Sequence, residues 1–322
     1  MKVSTLFIGM LCTWIQVLSQ SKYFEGDLVY HVSVKSRVVE LSDNDAFKVL
    51  ALGETLRVTC KNGNYRRSSE LHDEYHIIKD QKVYIKFRKL DTLYYLDYPY
   101  DTAKVIDITK SDSVFNIAGY NCKVITIRTS VSNSRLYYTS ALLNDPVYVR
   151  MNTMGKFSAF FRETGGAVYL WHREEYPLAT ETDSCIRVEA KSIDDHIFDL
   201  PALPQKKFSV ESLTSTAGYS GGEERWVKYL QANLDSKVAA KYLKLPKGQD
   251  QAIQKVYVEF VVSETGMISD IHVANKDEVH PKLAEEAMRV IRESPRWTPA
   301  VFYGEKITTT VKQPIIFTVV KG

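Results

Sequence analysis

The most constraining feature of this chain is a strictly alternating run near its C-terminus. Every second residue of the run is a large apolar side chain: Val256, Val258, Phe260 and Val262. A period of two is typical of a β-strand that buries one face. The turn at 263–266 ends in Gly266, which can adopt the positive φ angle of a tight turn. Residues 268–273 are therefore predicted to return as the second strand of an antiparallel hairpin.

Helical patterns and a last strand surround this hairpin. Glu223 and Glu224 suit the first turn of a helix, because the positive end of the helix dipole favours acidic groups. Between Leu283 and Ile291, apolar residues follow the spacing of an amphipathic helix, which Pro295 ends. Residues 307–319 again alternate. The sequence thus predicts a three-stranded antiparallel sheet with helices packed on one face.

From Tyr219 to Thr318 the chain resembles the C-terminal domain of TonB proteins, of the Bacteroidetes type. The motifs that carry the resemblance are Gly221-Gly222, Val258 to Val262 with Gly266, Glu285-Glu286-Ala287, Trp297, Pro299, Ala300, Gly304, Pro314 and Phe317. Leu245-Pro246 departs from the Tyr-Pro pair that members often carry, so the entry to the sheet differs. The resemblance implies a non-enzymatic domain that acts in transmembrane transport. Its partner would be an outer-membrane TonB-dependent receptor or another envelope protein.

Partner binding in this family uses β-augmentation, in which an extended segment pairs with the edge of the last strand. The resemblance assigns this edge to five residues: Ile307, Thr309, Val311, Ile315 and Phe317. Pro314 lacks an N–H, so it either interrupts a ladder that a partner adds or blunts an aggregation-prone edge; both interpretations stay open. Trp297 is predicted to lie in the core.

Residues 22–201 are predicted to form one antiparallel β domain, a half-barrel or a strongly curved sheet. Asn62-Gly63 indicates a hairpin. Only 43–52 has a helical pattern, with Ser42 as the N-cap. The strand candidates are 28–34, 58–60, 65–67, 76–78, 83–87, 93–96, 124–128, 135–138, 147–151, 167–172 and 186–190. The whole chain is therefore of the α+β class.

A second resemblance concerns Ile117 to Lys123 and Arg135 to Thr139, which are similar to secreted Bacteroidetes proteins of the GLPGLI type. Those proteins are distantly similar to the half-open barrels of lipoprotein carriers such as LolA. The resemblance implies a fold with an apolar cavity and no chemistry. It supports an alternative function, a periplasmic carrier or sensor whose β domain binds an apolar ligand.

The chain begins with Lys2 and an apolar run of about sixteen residues, which predicts a secretory signal peptide over 1–20 and a periplasmic location. An uncleaved segment would instead associate with the membrane, and this question stays open. Residues 202–220 are predicted to be an exposed linker and 221–322 the TonB-like domain. Cleavage leaves Cys60, Cys122 and Cys185, whose pairing the sequence does not decide.

Other functions find little support in the sequence. The formal net charge of +3 is too small to favour nucleic acid as a partner. Gly218 to Gly222 fits the G-x-S-x-G pattern of hydrolases, but no alternation of strands and helices surrounds it, so we interpret it as the start of a helix. His72 and His76 lie in a strand-like run and are predicted to be surface residues. No catalytic residue, metal site or cofactor is predicted.

Overall fold

The computed structural model describes residues 22–39 and 41–321, and the predicted signal peptide lies outside them. Within these residues, no helix combines the length and the apolar character needed to cross a membrane. Strands and helices occupy separate stretches of chain. The predicted α+β class is confirmed, with a large curved open sheet in the N-terminal half and a three-stranded antiparallel sheet in the C-terminal half.

The N-terminal sheet has twelve strands in the order β12-β6-β5-β4-β3-β2-β1-β11-β10-β9-β8-β7. Its strands are β1 (Gly26–Ser36), β2 (Thr55–Lys61), β3 (Asn64–Ser68), β4 (His72–Ile77), β5 (Lys82–Phe87), β6 (Leu93–Asp97), β7 (Val105–Ile117), β8 (Tyr120–Thr129), β9 (Asn133–Leu143), β10 (Ala167–Glu175), β11 (Ala179–Ala190) and β12 (Gln205–Lys207). All neighbours are antiparallel except β12 and β6, which run parallel. The hairpin predicted at Asn62-Gly63 joins β2 to β3, and both loop residues have positive φ, as a type I′ turn requires.

Three α-helices lie among the described residues of this half, where the sequence indicated one. The predicted helix is α1 (Asp43–Val49), and the Ser42 hydroxyl accepts a hydrogen bond from the Asp45 N–H at 3.0 Å. The others are α2 (Pro146–Met151) and α3 (Gly155–Thr164). The strand predicted at 147–151 is therefore wrong. Asp145 caps α2 and Pro146 opens it, which is a helix start that the strand prediction overlooked.

The segment predicted as an exposed linker forms ordered structure. It contributes β12, α4 (Val210–Leu213) and β13 (Thr214–Ser215). The Phe208 N–H donates to the Tyr95 carbonyl at 2.9 Å, and Leu213 is buried. Because β12 pairs with β6 and β13 pairs with a strand of the C-terminal half, the segment is bonded to both halves. The polar composition of the segment did not indicate that Phe208 and Leu213 pack against Phe87 of the N-terminal sheet.

The C-terminal half is built on the predicted hairpin. Its helices are α5 (Glu223–Asn233), α6 (Ser236–Tyr242) and α7 (Pro281–Arg292), and its strands are β14 (Gln251–Val262), β15 (Ile268–Val273), β16 (Ala300–Phe302), β17 (Glu305–Ile307) and β18 (Thr309–Val320). The main sheet has the order β15-β14-β18, and β13, β16 and β17 form a small second sheet. Apolar residues of the three helices share one core with β14 and β18.

Gly266 and Trp297 tie the hairpin to this core. Gly266 has a φ of +78°, and a Cβ atom there would lie 2.0 Å from the Trp297 carbonyl oxygen. The Trp297 N–H donates to the Gly266 carbonyl at 2.9 Å. Trp297 itself is 3% exposed, so the prediction that it belongs to the core is confirmed. Glycine is therefore required at this turn for both its φ angle and its missing side chain.

Candidate functional site

The strand β18 lies at the end of the C-terminal sheet, with one edge paired and the other free. It pairs with β14 in an unbroken register from Gln251–Val320 to Val262–Thr309. Within residues 22–39 and 41–321, no strand pairs with its other edge. A free edge presents a row of N–H and C=O groups, which is the feature that β-augmentation uses.

The register shows which backbone groups of β18 face this edge. The Tyr257 N–H donates to Asn275 Oδ1 at 2.9 Å, and its carbonyl accepts from the Ala274 N–H at 2.8 Å. The backbone of Tyr257 therefore points toward β15. Its partner across the ladder is Pro314. Because the backbone groups of Tyr257 point away from β18, Tyr257 and Pro314 form a non-hydrogen-bonded pair of the antiparallel ladder. The backbone of Pro314 therefore points away from β14, to the free edge.

Pro314 consequently removes a donor from the free edge and costs the sheet no hydrogen bond. Alternate residues point the same way, and those that keep an N–H are Thr310, Lys312, Ile316, Thr318 and Val320. None of their N–H groups bonds to another part of the described chain. The two interpretations of Pro314 thus reduce to one physical effect, an interruption in the middle of an open ladder.

The five residues predicted as the partner-binding edge do not belong to this group of residues with N–H groups at the free edge. Ile307 ends β17 and pairs with Ala300. Thr309, Val311, Ile315 and Phe317 belong to β18, but their N–H groups point to β14. Ile307, Ile315 and Phe317 are also buried. The sequence pattern revealed which side chains point inward, whereas the direction of the N–H groups depends on the pairing with β14. The residues whose N–H groups are available at the free edge are therefore Thr310, Lys312, Ile316, Thr318 and Val320.

Exposed apolar side chains lie beside the free edge. Ile316 is 50% exposed and Val320 is 65% exposed, and both belong to the edge-facing set. Ile253, on the neighbouring strand β14, is 54% exposed. Lys312 and Glu259 form an ion pair at 2.9 Å farther along the same two strands. A partner strand added here would therefore meet apolar contacts at one end and charged groups at the other.

A three-stranded antiparallel sheet with helices on one face and a free edge strand defines a small α+β domain suited to binding an extended segment. Residues 253–319 match the family described as "Gram-negative bacterial TonB protein C-terminal". The predicted TonB C-terminal domain is thereby confirmed. This family comprises non-enzymatic transport proteins of the Gram-negative envelope, which typically interact with outer-membrane receptors.

Comparison with whole proteins adds little to this assignment. No curated protein matches the chain. Two crystal forms of PNGF-II are 8% identical, with TM-scores of 0.33 and 0.34; they cover 75% and 92% of this chain. The matches span only 44% and 65% of the PNGF-II chain, less than two thirds of its length. The Caulobacter crescentus pol III beta chain is 9% identical with a TM-score of 0.11, over 88% of this chain and 79% of its own. These likenesses are too weak to argue from.

The N-terminal sheet encloses a cavity of about 290 Å³ that the sequence did not predict in this form. Its wall combines apolar and charged side chains: Leu50, Ala51, Leu52, Arg67, His72, Glu74, Ile85, Phe87, Lys156, Phe157, Tyr169, His172, Tyr176, Glu181, Asp183, Phe208 and Tyr303. A neighbouring aromatic cavity has only about 60 Å³, room for about two waters. The larger space is thus lined by both apolar and charged side chains, whereas the carrier resemblance implies an apolar cavity.

The histidines predicted to lie on the surface are buried, His72 in the wall of the larger cavity and His76 in the wall of the smaller one. His72 is 7% exposed and His76 is 2% exposed. Both share the inward face of β4 with Glu74, because residues two apart on a strand point the same way. His76 Nε2 lies 2.6 Å from Glu74 Oε1, and His72 Nε2 lies 3.7 Å from Glu74 Oε2. The prediction that these histidines lie on the surface is wrong, because this polar strand is buried on both faces.

Arg67 completes this group, with Nη1 3.3 Å from Glu74 Oε2. Burial would raise the pKa of Glu74, but the Arg67 guanidinium and the two imidazoles outweigh burial and hold that pKa well below its usual range. A carboxyl with a lowered pKa contributes stability above pH 4.5, its ordinary value, and that contribution is lost as the pH falls below it.

We therefore expect Glu74→Gln to lower the free energy of unfolding at pH 7 by about 1–3 kcal/mol, since it leaves the partly buried Arg67 guanidinium without its carboxylate. The variant should also lose less stability than the wild type between pH 5 and pH 3. Urea unfolding of both proteins across this pH range measures the effect. The exposed Glu54→Gln serves as the control and should stay within about 0.5 kcal/mol of the wild type. Parallel pH profiles for wild type and Glu74→Gln would contradict the assignment.

All three described cysteines, Cys60, Cys122 and Cys185, are buried and unpaired. Burial raises the pKa of the Cys122 thiol to about 11, so this thiol is a poor nucleophile at neutral pH. Gly222, at the end of the G-x-S-x-G pattern, is the N-cap of α5, as the helix interpretation predicted. Ser220 is exposed and precedes a helix, and among the described residues the only parallel pairing is that of β12 with β6, so the parallel sheet that a nucleophile elbow needs is missing there.

Proposed function

We propose that this protein is a non-enzymatic, periplasmic protein of the cell envelope that binds a partner by pairing an extended segment with the free edge of β18. The partner class we propose is an outer-membrane TonB-dependent receptor, and the process is transmembrane transport. We further propose the division of the chain into an N-terminal β domain (22–201), a connecting segment (202–220) and the binding domain (221–322).

The observation that carries this proposal is the open ladder of β18. Thr310, Lys312, Ile316 and Thr318 direct their N–H groups away from β14, and no described residue accepts from them. Backbone pairing supplies most of the affinity in β-augmentation, and alternate side chains add selectivity. The exposed Ile316 and Val320 would provide the apolar part of that selectivity. The TonB family match over the same residues supports the receptor as the partner class.

The test uses Thr310→Pro, which removes one edge-facing N–H without cutting a bond to β14. We expect the full chain with this change to bind a synthetic TonB-box peptide of a candidate receptor about 10-fold more weakly, since about 1.4 kcal/mol corresponds to one lost backbone hydrogen bond. Thr310→Ala is the matched control, because it loses the same side chain but keeps the N–H. Calorimetric titration should leave this control within about 2-fold of wild type. Equal affinities for all three proteins would refute edge pairing at this position.

A further inference from the structure

We propose that His172, Glu181 and Asp183 form a binding site for a divalent transition-metal ion such as Zn²⁺, inside the cavity of the N-terminal sheet. Each residue offers one ligand atom, and these atoms all lie within 4.8 Å of one another. All three side chains line the same cavity, and all three residues are buried. This site is separate from the binding edge of β18 and goes beyond the proposed function.

The pairing of β10 with β11 brings these groups together. His172 lies opposite Asp183 in the ladder, and Glu174 lies opposite Glu181. Residues two apart share a face, so four ionisable side chains point to one side of two neighbouring strands. Leu170 and Cys185 continue the same faces as buried apolar residues. Like charges opposite each other are destabilising, and a buried pair of carboxylates needs a cation to offset the repulsion.

Asp183 supplies the observation that points most directly to a ligand. The residue is 1% exposed, yet its Oδ1 atom has no hydrogen-bond partner among the described residues. Buried carboxylate oxygens are almost always bonded to a donor, a water or a metal. An unsatisfied oxygen on the wall of a cavity that also carries other charged side chains therefore indicates a position that a bound cation would fill.

The His172 ring is oriented as metal-binding histidines are. Its Nε2 lies 2.7 Å from Glu174 Oε2, and its Nδ1 lies 3.5 Å from Asp183 Oδ2. Metal-bound histidines usually donate their other ring N–H to a carboxylate, which fixes the tautomer. With the proton on Nε2, the Nδ1 lone pair faces a carboxylate oxygen. Two ligands of one tetrahedral Zn²⁺ lie about 3.4 Å apart, close to this separation.

The surrounding cations are already engaged elsewhere. Lys156 forms an ion pair with Glu174, and Arg67 pairs with Glu74. Of the described basic side chains, only His172 comes within 4.0 Å of the other two carboxylates, with Nδ1 3.5 Å from Asp183 Oδ2, and Glu181 has no ion-pair partner among them. A divalent cation would neutralise both.

One imidazole nitrogen and two carboxylate oxygens suit Zn²⁺ or Mn²⁺ better than Ca²⁺ or Mg²⁺, which prefer oxygen alone. Three protein ligands leave at least one coordination position for water or another ligand. The cavity of about 290 Å³ has space for it, since a water takes about 30 Å³.

The experiment titrates Zn²⁺ into the full chain after dialysis against a chelator, at pH 7.5, with calorimetry as the readout. We expect one equivalent to bind to the wild type, and Asp183→Asn, which keeps the shape of the side chain, to bind at least about 10-fold more weakly. Glu174→Gln should weaken binding by about 10- to 100-fold, because Glu174 orients the ligand imidazole. Circular dichroism of each variant confirms that it is folded.

The matched control is His196→Ala, which removes an exposed histidine that lies 2.8 Å from Asp199 and could capture Zn²⁺ at the surface. This variant should bind as the wild type does. Loss of binding in His196→Ala with full binding in Asp183→Asn would overturn the proposal, as would a wild type that binds no Zn²⁺. If Asp183→Asn does not fold, the wild type still decides: a Zn²⁺-soaked crystal must show an anomalous peak between His172, Glu181 and Asp183, and a peak elsewhere alone would refute the site.

Discussion

Replacing Trp297 with alanine is expected to lower the free energy of unfolding by about 3–5 kcal/mol, as is usual for a buried tryptophan. The ring lies at the centre of the C-terminal core, with its centroid 4.8 Å from that of Phe260 and 5.4 Å from that of Trp226. Its Nε1–H donates to the Ser294 hydroxyl at 3.0 Å. Alanine would leave a cavity and would remove one of the two hydrogen bonds of the Ser294 hydroxyl, which keeps its bond to the Ile291 carbonyl. Urea unfolding of the full chain, followed by circular dichroism, measures the loss.

The matched control is Ile316→Ala, which deletes an apolar side chain of the same domain that is 50% exposed. Its effect on unfolding should stay within about 0.5 kcal/mol, because the surface position has little to lose. A loss below about 1 kcal/mol for Trp297→Ala would contradict the core described here.

Val311→Pro is expected to destabilise the C-terminal sheet by at least about 2 kcal/mol, whereas Thr310→Pro at the adjacent position should cost less than about 1 kcal/mol. Val311 lies opposite Phe260, and the direction of its backbone makes this a hydrogen-bonded pair. Proline there removes an N–H from the ladder and leaves the Phe260 carbonyl buried without its donor. Thr310 points its N–H to the free edge, where proline removes nothing that the sheet uses.

The two prolines therefore test the assigned direction of β18 directly, since they are neighbours in sequence and opposite in expected effect. Urea unfolding of the full chain gives both values. Similar losses for the two variants would contradict the assignment, and a larger loss for Thr310→Pro would reverse it. In the reversed case Pro314 would point to β14, which the bonds of Tyr257 to Asn275 and Ala274 oppose.

The C-terminal domain could be predicted from sequence because its signals are local and agree with one another. The alternation at 256–262, the glycine at 266 and the apolar spacing of α7 each report on a single element. The direction of the N–H groups of β18 could not be predicted in the same way. Side-chain alternation tells which residues face the core, but the free N–H groups follow from the partner strand and its register.

The N-terminal half was predicted less completely because its distinctive features depend on long-range pairing. His172 and Asp183 meet only because β10 pairs with β11, and Lys156 arrives from α3. A signal was nevertheless present, since His172 and Glu174 continue the every-second-residue series of the buried Val168 and Leu170. The helix α2 was missed although Asp145-Pro146 is a recognised start. The cavity with its charged and apolar side chains and the ordered connection also arise from contacts between distant segments.

The central claim is that β18 captures a partner strand, and amide hydrogen exchange of the full chain measures this most directly. In the free protein, the N–H groups of Thr310, Lys312, Ile316 and Thr318 should exchange rapidly, while those of Val311, Ile315 and Phe317 should be protected by β14. Addition of a TonB-box peptide should slow the first group and leave the second unchanged. Protection that appears along β15, with none at these four positions of β18, would contradict the account.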